Sequence, residues 1–303
     1  MYFPGKYTIR YLLLILRNGV HYTKLHLALM ILCKFLFFAP LTWINEIILF
    51  IKLRNQDHSE IPVVFVLGYW RSATSYLQEQ LALHLDYNTI QIYDILFPEH
   101  TYLTKRFLLT PLNKVVKMLN VPFDVQRTQM DLKKNAEEEL ALLGLGNPNS
   151  LVLFHFFPKL YPIIQSEDQK SRYIKSYVKM IQWLYLSDRS KGIVLKSPTN
   201  LSCIQQLAYE FPNAKYIYIQ REKEAVIKSN KYLWSLIRKR TSFHQLSDDR
   251  IDYIINDSYN QMLSDYKRDR RLIEKSLIEL DFEELCESPE ITIKQIQNQF
   301  DFV

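Results

Sequence analysis

Three cations stand where apolar runs end. Arg71 follows VFVLGYW, Lys196 closes GIVLK and Arg221 follows KYIYIQ. Each run is β-branched and aromatic, so each cation falls at the carboxyl end of an expected strand. The first run continues into GYWRSATS, residues 68 to 75. Gly68 lets the backbone turn sharply, and the amides of Ser72, Ala73, Thr74 and Ser75 would open a helix whose dipole favours an anion. Thr74 and Ser75 add hydroxyl donors, and the Arg71 fork can grip an oxyanion at two points without a metal. A strand-end cation repeated three times describes a pocket for a ligand with several phosphates or sulfates.

The loop is not that of a nucleoside triphosphatase. Counted from Gly68 against G-x-x-x-x-G-K-[ST], Ala73 stands at the second glycine and Thr74 at the lysine. No apolar strand ends in an aspartate placed to hold magnesium. The three cysteines, Cys33, Cys203 and Cys286, and the seven histidines have no metal-ligand spacing, and an odd cysteine count fits a reducing compartment. No metal is expected.

An acidic cluster lies apart from these cations in the sequence. NAEEELALLGLG, residues 135 to 146, opens a helix with Glu137, Glu138 and Glu139. Acidic residues suit a first helical turn, and Asn135 with Glu138 makes a capping pair. That leaves the Glu137 and Glu139 carboxylates unused by the cap. His100 in FPEH and His155 in LFHFFP are set among aromatics that could line an acceptor pocket or the core.

The elements that must carry these residues alternate. Strands are expected at 63–67, 89–93, 192–196, 215–220 and 277–282. Helices are expected at 74–85, 135–145, 172–186, 201–209 and 224–237. Such alternation implies an α/β fold of three layers, a mostly parallel central sheet flanked by helices, with ligands beyond the carboxyl ends of the strands. The polar break RNQDHSEIP divides an apolar helical segment, residues 1–60, from an α/β domain, residues 61–303.

Within the first segment, Lys24, Lys34 and Glu46 interrupt the apolar runs, and Pro40 is expected to break or kink a helix at its middle. Two helices at residues 10–52, lying on a membrane surface or covering the domain's own core, are the expected arrangement. The chain of 303 residues carries a formal charge of +6. That excess suits a small anionic ligand or an acidic membrane surface and is too scattered for nucleic acid. Oligomeric state is not legible.

Together these residues resemble the sulfotransferases that use 3′-phosphoadenosine 5′-phosphosulfate (PAPS), nearest to the microbial group whose loop reads roughly G-h-W-R-S-G-T-T-x-L. The resemblance runs from about residue 60 to 290 and implies a P-loop-like sulfotransferase fold. It places the 5′-phosphosulfate end of the nucleotide on Gly68, Tyr69, Trp70, Arg71, Ser72, Ala73, Thr74 and Ser75. The 3′-phosphate falls to Arg221 and Ser229, eight residues apart in REKEAVIKS. Lys196 in LKSP sits near the transferring sulfonate, and LDFEELCESPE matches the family's late strand and acidic turn. By this likeness the general base is a glutamate of the NAEEELALLGLG cluster, Glu137 first and then Glu139, with His100 and His155 as fallbacks, since SPT follows Lys196 where other branches carry histidine.

Two departures stand out: Ala73 replaces the usual glycine and Ser75 the second threonine. No C-terminal basic segment closes over the nucleotide; Arg238, Lys239, Arg240 or the run YKRDRR could take its place. The implied activity is sulfonate transfer from PAPS to a hydroxyl or amine of a small or lipid-linked acceptor, at a cytoplasmic site, peripheral on the inner face of a membrane. The alternatives are a catalytically inactive, membrane-associated nucleotide-binding protein and a nucleotide kinase with a degenerate phosphate loop.

Overall fold

The computed structural model describes residues 6–121, 129–145, 156–161 and 166–300. In chain order the helices are α1 (Lys6–Asn18), α2 (Leu25–Leu53), α3 (Thr74–His84), α4 (Ile92–Leu96), α5 (Thr101–Met118) and α6 (Glu138–Gly144). They continue as α7 (Glu167–Ser187), α8 (Ile204–Glu210), α9 (Lys223–Thr241), α10 (Asp248–Asp269), α11 (Phe282–Glu287) and α12 (Pro289–Gln299). The strands are β1 (Val63–Leu67), β2 (Ile193–Lys196), β3 (Lys215–Gln220) and β4 (Leu277–Asp281). Packing divides the chain into two units. One is Met1–Gln56, Ile90–Ile163 and Trp234–Ser247; the other is Asp57–Thr89, Ile164–Leu233 and Asp248–Val303.

The second unit holds one parallel sheet in the order β2-β1-β3-β4. All five residues of β1 are buried, as a central strand covered on both faces requires. Its alternate side chains separate two cores. Val64 and Val66 pack with Leu77 and Leu81 of α3 and with Ile293 and Ile296 of α12. Phe65 points the other way, its ring 5.5 Å from Tyr216, 5.9 Å from Phe211 and 6.2 Å from Tyr177 of α7. Each such burial contributes about 1.5–3 kcal/mol, so the sheet is held from both sides. The expected three-layer α/β architecture is the observed one.

The strand expected at 89–93 is not formed. The chain pairs with the edge of β2 only at Asn88, through Asn88 N–H to the Gly192 carbonyl and Val194 N–H to the Asn88 carbonyl. It then turns into α4, because the Asp94 carboxylate accepts from Gln91 N–H at 2.8 Å and holds the helix start. Alternating apolar residues in TIQIY imitate a strand, and the cap outweighs them.

In the first unit α2 is a single helix of 29 residues with Pro40 inside it, not two helices broken there. Proline removes one backbone bond, and the turns on either side carry the loss while Phe35, Thr42, Asn45, Glu46 and Leu49 pack on one side. The interrupting charges are part of that packing. Lys34 donates to the Leu96 carbonyl at 2.7 Å and pairs with Glu99 at 2.8 Å. The Asn45 amide donates to the Glu99 carbonyl at 3.2 Å and accepts from Leu103 N–H at 2.9 Å.

Candidate active site

The loop after β1 is tightly constrained. A methyl group on Gly68 would come within 2.7 Å of Thr74 Cγ2, so the position accepts no side chain without movement. Arg71 and Ala73 both hold left-handed backbone, at φ 72° and 62°. Ala73 thus meets, with a methyl group attached, the conformation that a glycine would take at no steric cost. It is the residue just ahead of α3, which begins at Thr74 without a side-chain cap, leaving first-turn amides available to an anion. Ser72 and Thr74 are buried, while Arg71 and Ser75 are exposed.

Side chains from distant elements fix this shape. Asn230 on α9 donates to the Trp70 carbonyl at 2.8 Å, and the Arg221 guanidinium donates to the Arg71 carbonyl. Tyr69 is buried, and its hydroxyl meets Ser258 Oγ on α10 at 2.7 Å. Trp70 packs edge-on against the Tyr69 ring at 5.4 Å. Burial pushes the phenols of Tyr69, Tyr218 and Tyr259 up, so they stand near the loop as donors rather than bases.

Arg71, Arg221 and Ser229 come together. Arg71 Nε donates to Ser229 Oγ at 2.9 Å. Arg221, the residue after β3, binds the backbone of Arg71 and lies 3.9 Å over the Phe282 ring. Because β1 has β2 on one side and β3 on the other, the crevice between β1 and β3 lies where the chain's direction of progress across the sheet reverses, the usual place for a ligand on such a sheet. A small pocket opens there, lined by Tyr69, Ser72, Tyr218, Arg221, Tyr259 and Leu263 among others.

Lys196 ends β2 opposite Val66 of β1 and is buried. The turn after it is pinned. The Ser197 hydroxyl accepts from Thr199 N–H at 3.2 Å, and Pro198 starts a short 3-10 helix, Pro198–Ser202. Asn200 donates to the Tyr177 hydroxyl at 3.0 Å and accepts from the Tyr173 hydroxyl at 3.4 Å. The lysine is therefore carried on a stiff segment.

The acidic cluster belongs to the other unit. Glu137 is half-buried immediately before α6, and Glu138 and Glu139 are buried in its first turn. The helix begins at Glu138, so Asn135 lies ahead of its cap position, and Asn135 forms an antiparallel bridge with Gln91. His100 is buried between the rings of Phe38 and Phe97, with Nδ1 2.9 Å from Thr104 Oγ1. Burial and the nearby Lys34 hold it down to about 4, so its proton is lost at neutral pH. His155 and the side chains of Lys239 and Arg240 lie outside the described residues. In YKRDRR, Arg268 pairs with Asp265 and Asp269, and Arg270 with Glu279. Arg268 and Arg270, two of the run's four cations, are thus committed to neighbouring carboxylates.

Residues 62–302 match the family described as the Sulfotransferase family. The chain belongs to the sulfotransferase family. Curated relatives of this sulfotransferase include omega-hydroxy-beta-dihydromenaquinone-9 sulfotransferase Stf3 of Mycobacterium tuberculosis and of Mycobacterium bovis. Each is 24% identical over 300 residues, covering 93% of this chain and 74% of the relative. Among solved structures, sulfotransferase STF1 of M. tuberculosis superposes with a TM-score of 0.72 at 17% identity, covering 94% of this chain and 79% of that one. Sulfotransferase STF9 of Mycobacterium avium superposes at 0.67 with 18% identity, covering 84% and 68%. The sulfotransferase therefore shares their P-loop-like fold.

Sequence reasoning missed the residues that hold this sulfotransferase's loop in place. Asn230 lies next to Ser229, and its amide reads as an ordinary helix-surface group. Ser258, Tyr259 and Leu263 sit on α10, a helix left unassigned although Ile251, Ile255, Ser258, Met262 and Tyr266 recur on one face at helical spacing.

Proposed function

We infer that this enzyme transfers a sulfonate group from PAPS to the hydroxyl, or amine, of a hydrophobic or lipid-linked acceptor. The observation that carries the reading is the junction of Arg71, Arg221 and Ser229. The Arg71 guanidinium meets the Ser229 hydroxyl and the Arg221 guanidinium meets the Arg71 backbone carbonyl beside a helix start, a donor set that fits a phosphate bearing two charges. Arg221 and Ser229 hold the 3′-phosphate in this reading. The loop of Gly68, Tyr69, Trp70, Arg71, Ser72, Ala73, Thr74 and Ser75 holds the 5′-phosphosulfate. No metal is used.

Glu137 accepts the acceptor's proton as the acceptor oxygen forms its bond to sulfur. The bond from sulfur to the bridging phosphate oxygen breaks, and Lys196 and Arg71 neutralise the charge that builds on the sulfonate and on that leaving oxygen. The products are a sulfate ester and 3′,5′-ADP. Glu138 and Glu139 are the neighbouring carboxylates against which Glu137 is to be compared. The curated relatives support a lipid-like acceptor, since their name specifies omega-hydroxy-beta-dihydromenaquinone-9. A cytoplasmic site, peripheral on the membrane's inner face, suits such an acceptor.

The deciding experiment incubates the protein with sulfur-labelled PAPS and a panel of hydroxylated lipids and small alcohols, with ATP and magnesium as a parallel donor. Label in an acceptor supports the reading. Phosphoryl transfer from ATP would replace it with a kinase, and nucleotide binding without transfer to any acceptor would replace it with an inactive binding protein.

A further inference from the structure

Helix α2 is amphipathic in the inverted sense. Its polar side chains, Lys34, Thr42, Asn45, Glu46 and Lys52, recur at steps of three, four, seven and eight residues and so share one side of the helix. That side faces protein. Lys34 and Asn45 bind the chain around Glu99, as described, Glu46 is buried, and Lys52 donates to the Tyr102 hydroxyl at 2.8 Å. The opposite side, from 29 to 51, is exposed at every third or fourth residue and carries neither charge nor amide. Met30, Phe37 and Ile51 are 63%, 78% and 67% exposed, with Cys33, Ile44 and Ile47 between them. Soluble helices bury the apolar stripe and expose the polar one; α2 does the reverse over about 34 Å of length. An exposed patch of this extent marks an interaction site.

The charge around the patch selects the occupant. The described side chains of α1, α2 and α5, with Lys24 and Arg54 at the ends of α2, include nine lysines and arginines against the buried Glu46 and the carboxylates of Glu99, Asp94 and Asp131, which pair Lys34, Lys105 and Lys117, so a positive excess remains. Two copies of such a surface repel one another, whereas an anionic lipid surface attracts it. Helix α5 contributes further exposed apolar residues, Phe107, Val115 and Met118, beside Arg106, Lys114 and Lys117.

By length and composition the segment Tyr22–Leu53 could also cross a bilayer. The polar ties argue otherwise. They run along the helix from Lys34 to Lys52 and bind it to α4, α5 and the turn between them. A crossing α2 would draw Asp94, Lys105, Arg106, Lys114 and Lys117 towards hydrocarbon, where each ionised group is costly. We propose that α2 lies in the plane of a membrane surface containing anionic lipid, its Met30–Phe37–Ile51 side immersed and its Lys34–Asn45–Lys52 side fastened to α4 and α5. This rests on the membrane contact included in the proposed function and gives it a geometry and a lipid class.

The test uses the full chain with vesicles of phosphatidylcholine, with and without phosphatidylglycerol. Flotation should recover the protein with the anionic vesicles, and the double variant Phe37→Asp, Ile51→Asp should lose at least about tenfold in partitioning, since each immersed side chain contributes of the order of tenfold. Nitroxides on cysteines placed at Met30, Phe37, Ile44 and Ile51 should report one shallow depth. Depths passing through the bilayer centre would show a crossing helix and overturn the proposal. So would absence from anionic vesicles, or a wild-type dimer that the double variant dissociates. Calorimetry with 3′,5′-ADP on the same double variant separates the two readings: retained nucleotide binding with lost flotation bears on the membrane alone, while absent nucleotide binding in the wild type bears on the sulfotransfer reading.

Discussion

Arg71 Nε donates to Ser229 Oγ at 2.9 Å, joining two residues 158 apart in the chain. The arginine of the first loop thus reaches the position at which the α9 serine would meet a phosphate, and Arg221 closes the triangle through the Arg71 carbonyl. Ser229→Ala should therefore weaken 3′,5′-ADP by about tenfold, the worth of a hydrogen bond to a charged group, and leave AMP within about twofold. Calorimetry with both nucleotides checks this. An equal loss for both would mean that Ser229 serves the loop's shape and not the 3′-phosphate.

Gly68 and Thr74 are in steric contact through an absent atom. Gly68→Ala should disturb the loop and lower 3′,5′-ADP affinity by about tenfold or more, since a contact of 2.7 Å to Thr74 Cγ2 must be relieved by backbone movement. Thr74→Ser removes that methyl and keeps the hydroxyl. The double variant should regain most of the loss, as a thermodynamic cycle on nucleotide affinity will show.

Lys196 is buried at the end of a strand, so its replacement must preserve volume. Lys196→Met should reduce kcat by about 10²–10³ while 3′,5′-ADP affinity changes by less than about threefold, as befits a group acting on transition-state charge. Steady-state kinetics on the labelled-donor assay and calorimetry on the product nucleotide separate the two effects. A loss confined to affinity would remove Lys196 from the chemical step.

His100 gives the helical unit an acid sensitivity. Its folded pKa, about 4, lies below the ordinary 6.5, so between those values the unfolded chain binds a proton that the folded chain refuses. Stability should fall as pH drops from about 6.5 towards 4 and be fully present above that window. Burial raises Glu99, which acts in the opposite sense, and His244, also lowered by burial, adds to the fall. His100→Gln should flatten the dependence of Tm on pH without abolishing it; an unchanged slope would place the acid sensitivity elsewhere.

The strands β1, β2, β3 and β4 were legible because buried parallel strands read as unbroken apolar runs between turn residues. The placing of Arg71, Lys196 and Arg221 along one sheet edge was legible for a related reason: strand ends in a parallel sheet must lie side by side, whereas Ser229, a residue of α9, was named only through the family's spacing. Residues 89–93 failed because Asp94 holds the start of α4 through the backbone amide of Gln91, three residues before it, and an aspartate inside an apolar run does not read as a cap. Pro40 failed because the ties from Lys34 and Asn45 that keep α2 continuous come from residues some sixty positions away. Asn230 and Ser258 were invisible for the same cause, since each acquires its role from a loop more than 150 residues distant.

The pairing of β1 with β2 carries a consequence for synthesis. Val63 of β1 must wait for Ile193, and no other strand precedes β2 to cover it. At about 5–20 residues per second the ribosome takes roughly ten seconds to supply that partner. Throughout that interval α2, already emerged, shows its apolar side to the cytosol. The nascent chain is thus most exposed to self-association before Ile193 is made, and a membrane or a chaperone that reaches α2 early shortens that exposure before the sheet exists.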